Sequence, residues 1–169
     1  MAEHALYLVP SDPHYLPSEA KRKEFLAFFQ EVSPLPNANG DYYFYVYDEP
    51  RLFDGGEAME AVVCPLCETS LDLYTEEEDE DDPAMWWDRV RDQALEAALT
   101  MPCCQGTSRL VDLTFRAPAA YARFAVGALE PSRSEYWEDE EHAQSGLKPE
   151  TVQRLEKILG CGVLQIWSI

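Results

Sequence analysis

Two pairs of cysteines constrain this chain more than any other feature of its sequence. Cys64 and Cys67 enclose a Pro-Leu dipeptide, and the second pair consists of the adjacent residues Cys103 and Cys104. A tight turn that separates two thiolates by two residues directs both sulfurs to one side, where they can chelate a tetrahedral ion. We therefore predict a closed, structural zinc site, similar to a zinc knuckle, with Cys64, Cys67, Cys103 and Cys104 as its ligands.

The adjacency of Cys103 and Cys104 leaves alternatives open. Side chains of neighbouring residues point apart unless the backbone bends, and Pro102 and Gly106 make such a bend possible. Three of the four cysteines could instead bind metal together with another ligand, or the thiols could bind no metal.

A redox pair formed by Cys64 and Cys67 is disfavoured by the residues that follow it. Thioredoxin-like pairs begin a helix, whose dipole lowers the pKa of the first thiol. The residues after Cys67 alternate polar and apolar, which is typical of a strand. The fifth cysteine, Cys161, is expected to be a small core residue.

The charge of the chain restricts its partners. Asp and Glu number 32 against 13 Lys and Arg, which gives a formal net charge of −19. Such a surface repels phosphate backbones and anionic lipids, so neither nucleic acid nor a membrane is expected as a partner. It suits a protein partner with a basic surface, or it serves solubility alone.

The order of local patterns predicts a single α+β domain over residues 1–169. Strands and helices are expected in the order β-α-β-β-α-β-β-α-β, with about three helices and a mixed or mostly antiparallel sheet. Helices are expected to begin near Ser18, Pro83 and Pro149, the second reaching about Thr100 and the third ending at Gly160. Acidic loops are expected at 75–82 and 135–145, and no internal repeat is evident.

The start of the chain predicts a cytoplasmic protein. A secretory signal has a basic region followed by an uninterrupted apolar run. This chain lacks the basic region, and Pro10 interrupts its apolar run. No segment approaches the roughly 18 apolar residues that cross a bilayer. In the cytoplasm thiols stay reduced, which favours metal ligands, catalytic cysteines or core residues over disulfides.

Motifs for catalysis are not found in the sequence. His4, His14 and His142 do not form a His-Glu-x-x-His arrangement, and no glycine-rich phosphate loop is present. We therefore predict no catalytic residue. One of the adjacent Trp86 and Trp87, or Trp137, is either a surface anchor for a partner or part of the core.

Several segments of the chain resemble a loose set of small uncharacterised bacterial proteins. The resemblance rests on the Cys-Pro-x-Cys turn after a strand and on Pro-Cys-Cys followed by Thr107-Ser108-x-Leu110. It extends to Ala122-Arg123-Phe124 and to the ending Leu155-Glu156-x-Ile158-Leu159-Gly160-Cys161. It implies a shared fold and a shared cysteine site. In size and charge the chain is also similar to toxin immunity proteins.

We expect a non-enzymatic acidic binding protein, with an immunity-type inhibitor of a basic bacterial toxin as its specific form. Opposite charges would speed its association with the toxin. The alternatives are a zinc-stabilised accessory or adaptor domain of a larger assembly, and an enzyme with an unrecognised site.

Overall fold

The computed structural model describes residues 4–36, 41–56, 59–73, 82–116, 119–139 and 146–168. Within these ranges it contains three α-helices and nine β-strands. In chain order they are β1 (Ala5–Pro10), α1 (Glu19–Val32), β2 (Tyr42–Asp54), β3 (Ala61–Val63), β4 (Ser70–Asp72), α2 (Pro83–Val90), β5 (Ala98–Thr100), β6 (Thr107–Arg109), β7 (Thr114–Arg116), β8 (Ala119–Leu129), α3 (Pro149–Leu159) and β9 (Val163–Ser168). The helices and the antiparallel pairing confirm the predicted α+β class.

The largest sheet has four strands in the order β2-β8-β1-β9, and all its neighbouring strands are antiparallel. Helices α1 and α3 lie together on one face of this sheet. Leu6 and Leu8 of β1 are fully buried there with Phe25 and Phe29 of α1 and Leu155 of α3. This packing, more than intrinsic helix propensity, is what stabilises the two helices.

The ends of α1 and α3 follow from signals in the sequence. The Ser18 side chain accepts a hydrogen bond from the backbone N–H of Lys21 at 3.3 Å, and Pro149 opens α3. Gly160 ends α3 with a φ of 88°, a left-handed conformation that glycine adopts without strain. None of the helices in the described ranges is long and apolar enough to span a membrane.

Tyrosines cover the opposite face of the four-stranded sheet. Tyr43, Tyr45 and Tyr47 project from β2, and Tyr7 of β1 stacks on Tyr43 with ring centroids 6.0 Å apart. The Tyr7 ring lies over Gly127 of β8, its neighbour in the sheet, where a Cβ would stand only 2.7 Å from the ring. Burial first, and then the phenols of Tyr45 and Tyr43, raise the pKa of Tyr7 to about 12.

A second hydrophobic core is formed by residues between β2 and β8. These two strands are paired as far as Asp54 and Ala119, so residues 55–118 leave and rejoin the sheet at neighbouring points. We call residues 55–118 the cysteine lobe. Its described residues form the sheets β4-β3-β7 and β5-β6, against which α2 packs. Arg91, just after α2, forms a 2.7 Å ion pair with Asp54 at the end of β2.

Helix α2 is shorter than the sequence pattern predicts. It begins at Pro83 behind the N-cap residue Asp82, as expected, but it ends at Val90 instead of near Thr100. The end of the expected helix is strand β5, which pairs with β6 and buries its central leucine. The alanines of the expected helical face would bury little apolar surface, so strand pairing around a buried leucine outweighs helix propensity.

Trp86, Trp87 and Trp137 are buried, with exposed fractions of 6%, 4% and 3%. The alternative that one of them is a surface anchor is therefore wrong. Trp86 and Trp87 leave α2 in directions about 100° apart, yet both find protein partners. The Trp86 indole N–H donates to the carbonyl of Thr100, and Trp87 packs edge-on against Phe115, so α2 contacts β5 and β7 at once.

The two acidic loops lie largely outside the described residues. Of the loop at 75–82 only Asp82 is described, and its side chain accepts a hydrogen bond from Ala84 N–H at the start of α2. Of the loop at 135–145, residues 135–139 are described, and Tyr136 and Trp137 pack against the core under α1 and α3. The expectation of one domain over 1–169 stays a prediction.

Candidate metal centre

The first cysteine pair lies in the turn of a short hairpin between β3 and β4. The Glu68 N–H donates to the carbonyl of Cys64, and the Cys64 N–H donates to the carbonyl of Thr69, both at 3.0 Å. Glu68 has a φ of 61°, and this left-handed residue turns the chain back toward β4. Cys64 thus follows one strand directly, whereas Cys67 stands at the tip.

The second pair lies in a turn with the same backbone pattern. The Gln105 N–H donates to the carbonyl of Met101, and the Met101 N–H donates to the carbonyl of Gly106, both at 2.9 Å. Gln105 has a φ of 59°. Strands β5 and β6 flank this turn as β3 and β4 flank the first, and their residue pairs correspond one to one. The cysteine lobe therefore contains two copies of one hairpin, although no internal repeat was expected from the sequence.

The shared hydrogen bonds identify equivalent positions in the two turns. Each position of the first turn has a counterpart 37 positions later in the second turn. Cys64 corresponds to Met101, Pro65 to Pro102, Leu66 to Cys103 and Cys67 to Cys104. The first turn therefore supplies sulfur from its first and fourth positions, and the second from its third and fourth. The bend that adjacent cysteine ligands require is supplied by the turn itself.

The two turns bring the four sulfur atoms together. The Sγ atoms of Cys67 and Cys103 are 3.4 Å apart, and those of Cys64 and Cys104 are 4.0 Å apart. All four sulfurs lie within 4.8 Å of one another, so one metal ion could contact them all. Each of the two short distances joins one turn to the other, so an ion at this position would tie the two hairpins together.

The four thiols differ in their surroundings. Cys64 is buried, Cys103 is half-buried, and Cys67 and Cys104 are exposed. Hydrogen bonding to the side chain and backbone of Thr69 lowers the pKa of Cys67 to about 6. Burial, followed by the neighbouring thiols, raises the pKa of Cys103 to about 12. One thiolate thus makes it harder for the neighbouring thiols to lose their protons. A divalent cation bound among the four sulfurs would instead favour the thiolate form of each of them.

The sulfur cluster is supported by the core of the cysteine lobe. Cys64 and Met101, which begin the two turns, are fully buried beside Val62. At the surface, Gly106 leaves room for Leu66, because a Cβ on Gly106 would stand 2.5 Å from the Leu66 Cδ1 atom. Buried residues below the sulfurs and the close approach of Leu66 to Gly106 beside them therefore hold the two turns against each other.

The redox hypothesis has no helix to support it at this site. The residues after Cys67 lead into β4, and the residues after Cys104 lead into β6. Neither cysteine pair therefore lies at a helix N-terminus, whose dipole would favour a reactive thiolate. Cys161 packs against the core under α1 and α3, as expected, and does not belong to the sulfur cluster.

All four ligands expected from the sequence are brought together, but the roles of three supporting residues were not foreseen, including Gly106, which was expected only to allow the bend that Gln105 makes. Met101 holds a ligand-equivalent position without being a cysteine, Thr69 lowers the pKa of a thiol, and Gly106 allows close packing. A signal for the equivalence was present. Each turn has proline at its second position and cysteine at its fourth, followed by Glu or Gln.

The candidate centre thus consists of four thiols held by two equivalent turns over a common core. Comparison of the chain with protein-family models, with curated proteins and with solved structures found no match.

Proposed function

We propose that Cys64, Cys67, Cys103 and Cys104 bind one structural zinc ion. Zinc binds thiolates tetrahedrally at about 2.3 Å, which corresponds to sulfur–sulfur distances of roughly 3.8 Å. The two short distances between the turns, 3.4 and 4.0 Å, lie on either side of that value. Four thiolates fill the coordination shell and leave no position for a substrate, so the ion would serve the scaffold.

The metal content of the purified protein tests this site. We expect about one zinc ion per chain, by elemental analysis, in protein prepared without added metal. Cys67→Ser is expected to lose the ion, and Cys161→Ser, a cysteine outside the cluster, is the control that keeps it. Protein without zinc, in which all five thiols react freely in the native state, would contradict the site.

We propose that the protein is a non-enzymatic acidic binding protein whose partner has a basic surface. The net charge of −19 carries this proposal, because it favours a cationic protein and repels nucleic acid and anionic membranes. The specific form we propose is an immunity-type inhibitor of a basic bacterial toxin. A cytoplasmic location fits it, because four thiols must stay reduced to bind zinc.

Capture of partners followed by association kinetics tests this function. The captured protein is identified, and its association rate is measured between about 0.1 and 1 M salt, where the Debye length falls from roughly 10 to 3 Å. We expect the rate to fall steeply across this range. One variant carries Glu→Gln and Asp→Asn replacements in the run at 76–82, and a second carries them in the run at 135–141. Both variants are expected to associate more slowly and with a flatter salt dependence.

The identity of the partner separates the proposed forms. A basic toxin whose activity is suppressed would support the inhibitor, whereas a stable assembly without toxin activity would support an adaptor domain. An association rate that does not change with salt, for wild type and for both variants, would contradict recognition by charge.

A further inference from the structure

The outer edge of β2 lacks the usual protection of a strand edge. β2 is the terminal strand of the four-stranded sheet, and within the described ranges it pairs with β8 alone. Residues 42–46 contain no lysine, proline or glycine, and the irregularity of the strand begins only after Val46. Edge strands normally carry such devices because their outward N–H and C=O groups can pair with another chain.

Apolar side chains are exposed along the same stretch. Phe44 and Val46 are 45% and 42% exposed, although Phe44 packs edge-on against the buried Phe124 at 5.6 Å. They therefore lie on the helix-covered face of the sheet but beyond the cover that the helices give. On the other face, Tyr43 and Tyr45 present rigid, amphipathic rings of the kind that protein interfaces favour.

Carboxylates stand at both ends of residues 42–46. Asp41 precedes the stretch, Asp48 and Glu49 follow it, and all three are exposed. Asp48 and Glu49 line a surface pocket together with Arg51, whose guanidinium carbon lies 5.6 Å from the centroid of the Tyr47 ring. Lysine or arginine side chains on an added strand would meet these carboxylates.

The net charge decides between possible occupants of this edge. A second copy of the chain would bring another −19 to the same edge, which electrostatic repulsion opposes. A cationic segment would be attracted by the whole molecule and by the three carboxylates beside the strand. The charge therefore favours a basic partner over self-association.

We propose that an extended, cationic segment of a partner protein adds to the sheet along residues 42–46. Main-chain hydrogen bonds to β2 supply affinity, and alternate side chains that cover Phe44 and Val46 supply specificity. This inference rests on the proposed function, since it names the surface by which the basic partner binds.

Short synthetic peptides test the edge without knowledge of the natural partner. In the probe peptide valine alternates with lysine, in one control glutamate replaces each lysine, and in the other a central proline prevents strand pairing. We expect the valine–lysine peptide to bind and to protect β2 amides from hydrogen exchange. Both control peptides are expected to bind weakly and to leave those amides unprotected.

Val46→Lys and Leu164→Lys form a matched pair of variants. Leu164 lies on β9, the opposite edge of the same sheet, and is 41% exposed. Each substitution therefore adds one positive charge at an exposed apolar edge position. We expect Val46→Lys to weaken binding of the probe peptide about tenfold or more, and Leu164→Lys to weaken it less than about threefold. Both variants are expected to melt like the wild type.

Four results would overturn the inference. If binding of the probe peptide depends on salt but Val46→Lys and Leu164→Lys weaken it equally, β2 is not the binding surface, although the proposal of a basic partner is not contradicted. Equal binding of the glutamate peptide would remove the requirement for positive charge. A wild-type dimer that Val46→Lys disrupts, measured by sedimentation, would assign the edge to a second copy. No binding of the probe at low salt would refute the docking strand, while the salt dependence of the captured partner would still decide the proposed function.

Discussion

At Met101 the second turn departs from the first. Its backbone makes the two hydrogen bonds that the backbone of Cys64 makes, but its side chain is a fully buried thioether. The second turn instead carries a thiol at Cys103, the position equivalent to Leu66. The turn backbone thus offers more than one position from which a side chain reaches the sulfur cluster.

We expect an exchange of these two side chains to preserve the centre. Met101→Cys combined with Cys103→Leu gives the second turn the Cys-Pro-Leu-Cys order of the first, and should bind about one zinc ion per chain. Cys103→Leu alone leaves three thiols and should bind zinc more weakly in competition with a chelator. A folded double variant without zinc would show that the equivalence of the backbones does not extend to the sulfurs.

Tyr7 should ionise later than an ordinary tyrosine. Burial is the main cause that raises its pKa from 10.0 to about 12. Because the folded state has the higher pKa, the stability linked to neutral Tyr7 is complete below pH 10.0 and is lost as the pH rises through about 12. Phenolate absorbance should show a late-titrating group that Tyr7→Phe removes. A wild-type titration unchanged by Tyr7→Phe would contradict this pKa.

Elements with strong local signals could be predicted, and elements that depend on distant pairing could not. Proline, serine and glycine mark the ends of α1 and α3. Strands β3 to β7 have three residues each; the sequence indicates β3 and β4 on either side of the first cysteine turn, but β5 lies where its alanines predicted the end of a helix. They form because pairing buries a central residue such as Val62, Leu71 or Leu99 in the lobe.

The candidate site shows the same division. The Cys64-x-x-Cys67 spacing and the second cysteine pair led us to group four thiols, and their sulfur atoms do lie within 4.8 Å of one another. The hairpin repeat is weak in the sequence, because the two turns share only a proline, a cysteine and the following Glu or Gln, whereas their backbone hydrogen bonds are equivalent. The role of Met101 is visible only once those hydrogen bonds are known.

The glycine that ends α3 gives a prediction at the level of an element. Gly160→Ala places a Cβ on a residue with a φ of 88°, at 3.0 Å from Lys21 Nζ and 3.1 Å from the Tyr15 hydroxyl. We expect it to lower the free energy of unfolding by about 1–2 kcal/mol in denaturant titrations. Gln153→Ala, at an exposed position inside α3, is the control, with an expected change within about 0.5 kcal/mol. Equal effects of the two substitutions would show that the cap is not strained by alanine.

Two of the hydrophobic cores in the described part of the chain differ in what can stabilise them. The four-stranded sheet and its helices bury large apolar residues such as Phe25, Phe29 and Phe124. The cysteine lobe combines a smaller core with a candidate metal centre whose four thiols come from separate turns. Because binding energy at a structural zinc site is also folding energy, the lobe should depend on the ion more than the sheet does.

Removal of the ion should therefore loosen the two cores unequally. With a strong chelator we expect a lower thermal midpoint, and amides of β3 to β7 should lose protection against hydrogen exchange before amides of β1, β8 and β9. Cys64→Ser should reproduce this pattern without chelator. Chelation that extracts the ion and leaves melting and exchange unchanged would show that the metal is not structural.

Two turns with one backbone and different cysteine positions affect how this centre can change during evolution. If the exchange of Met101 and Cys103 preserves the centre, a cysteine gained at one position of a turn would make a cysteine at another position dispensable, and the coordination could shift through single replacements while the fold persists. Selection would then preserve the number of sulfurs more strictly than their spacing. Descendants of such a protein would keep the proline and the left-handed residue of each turn while their cysteine patterns diverge.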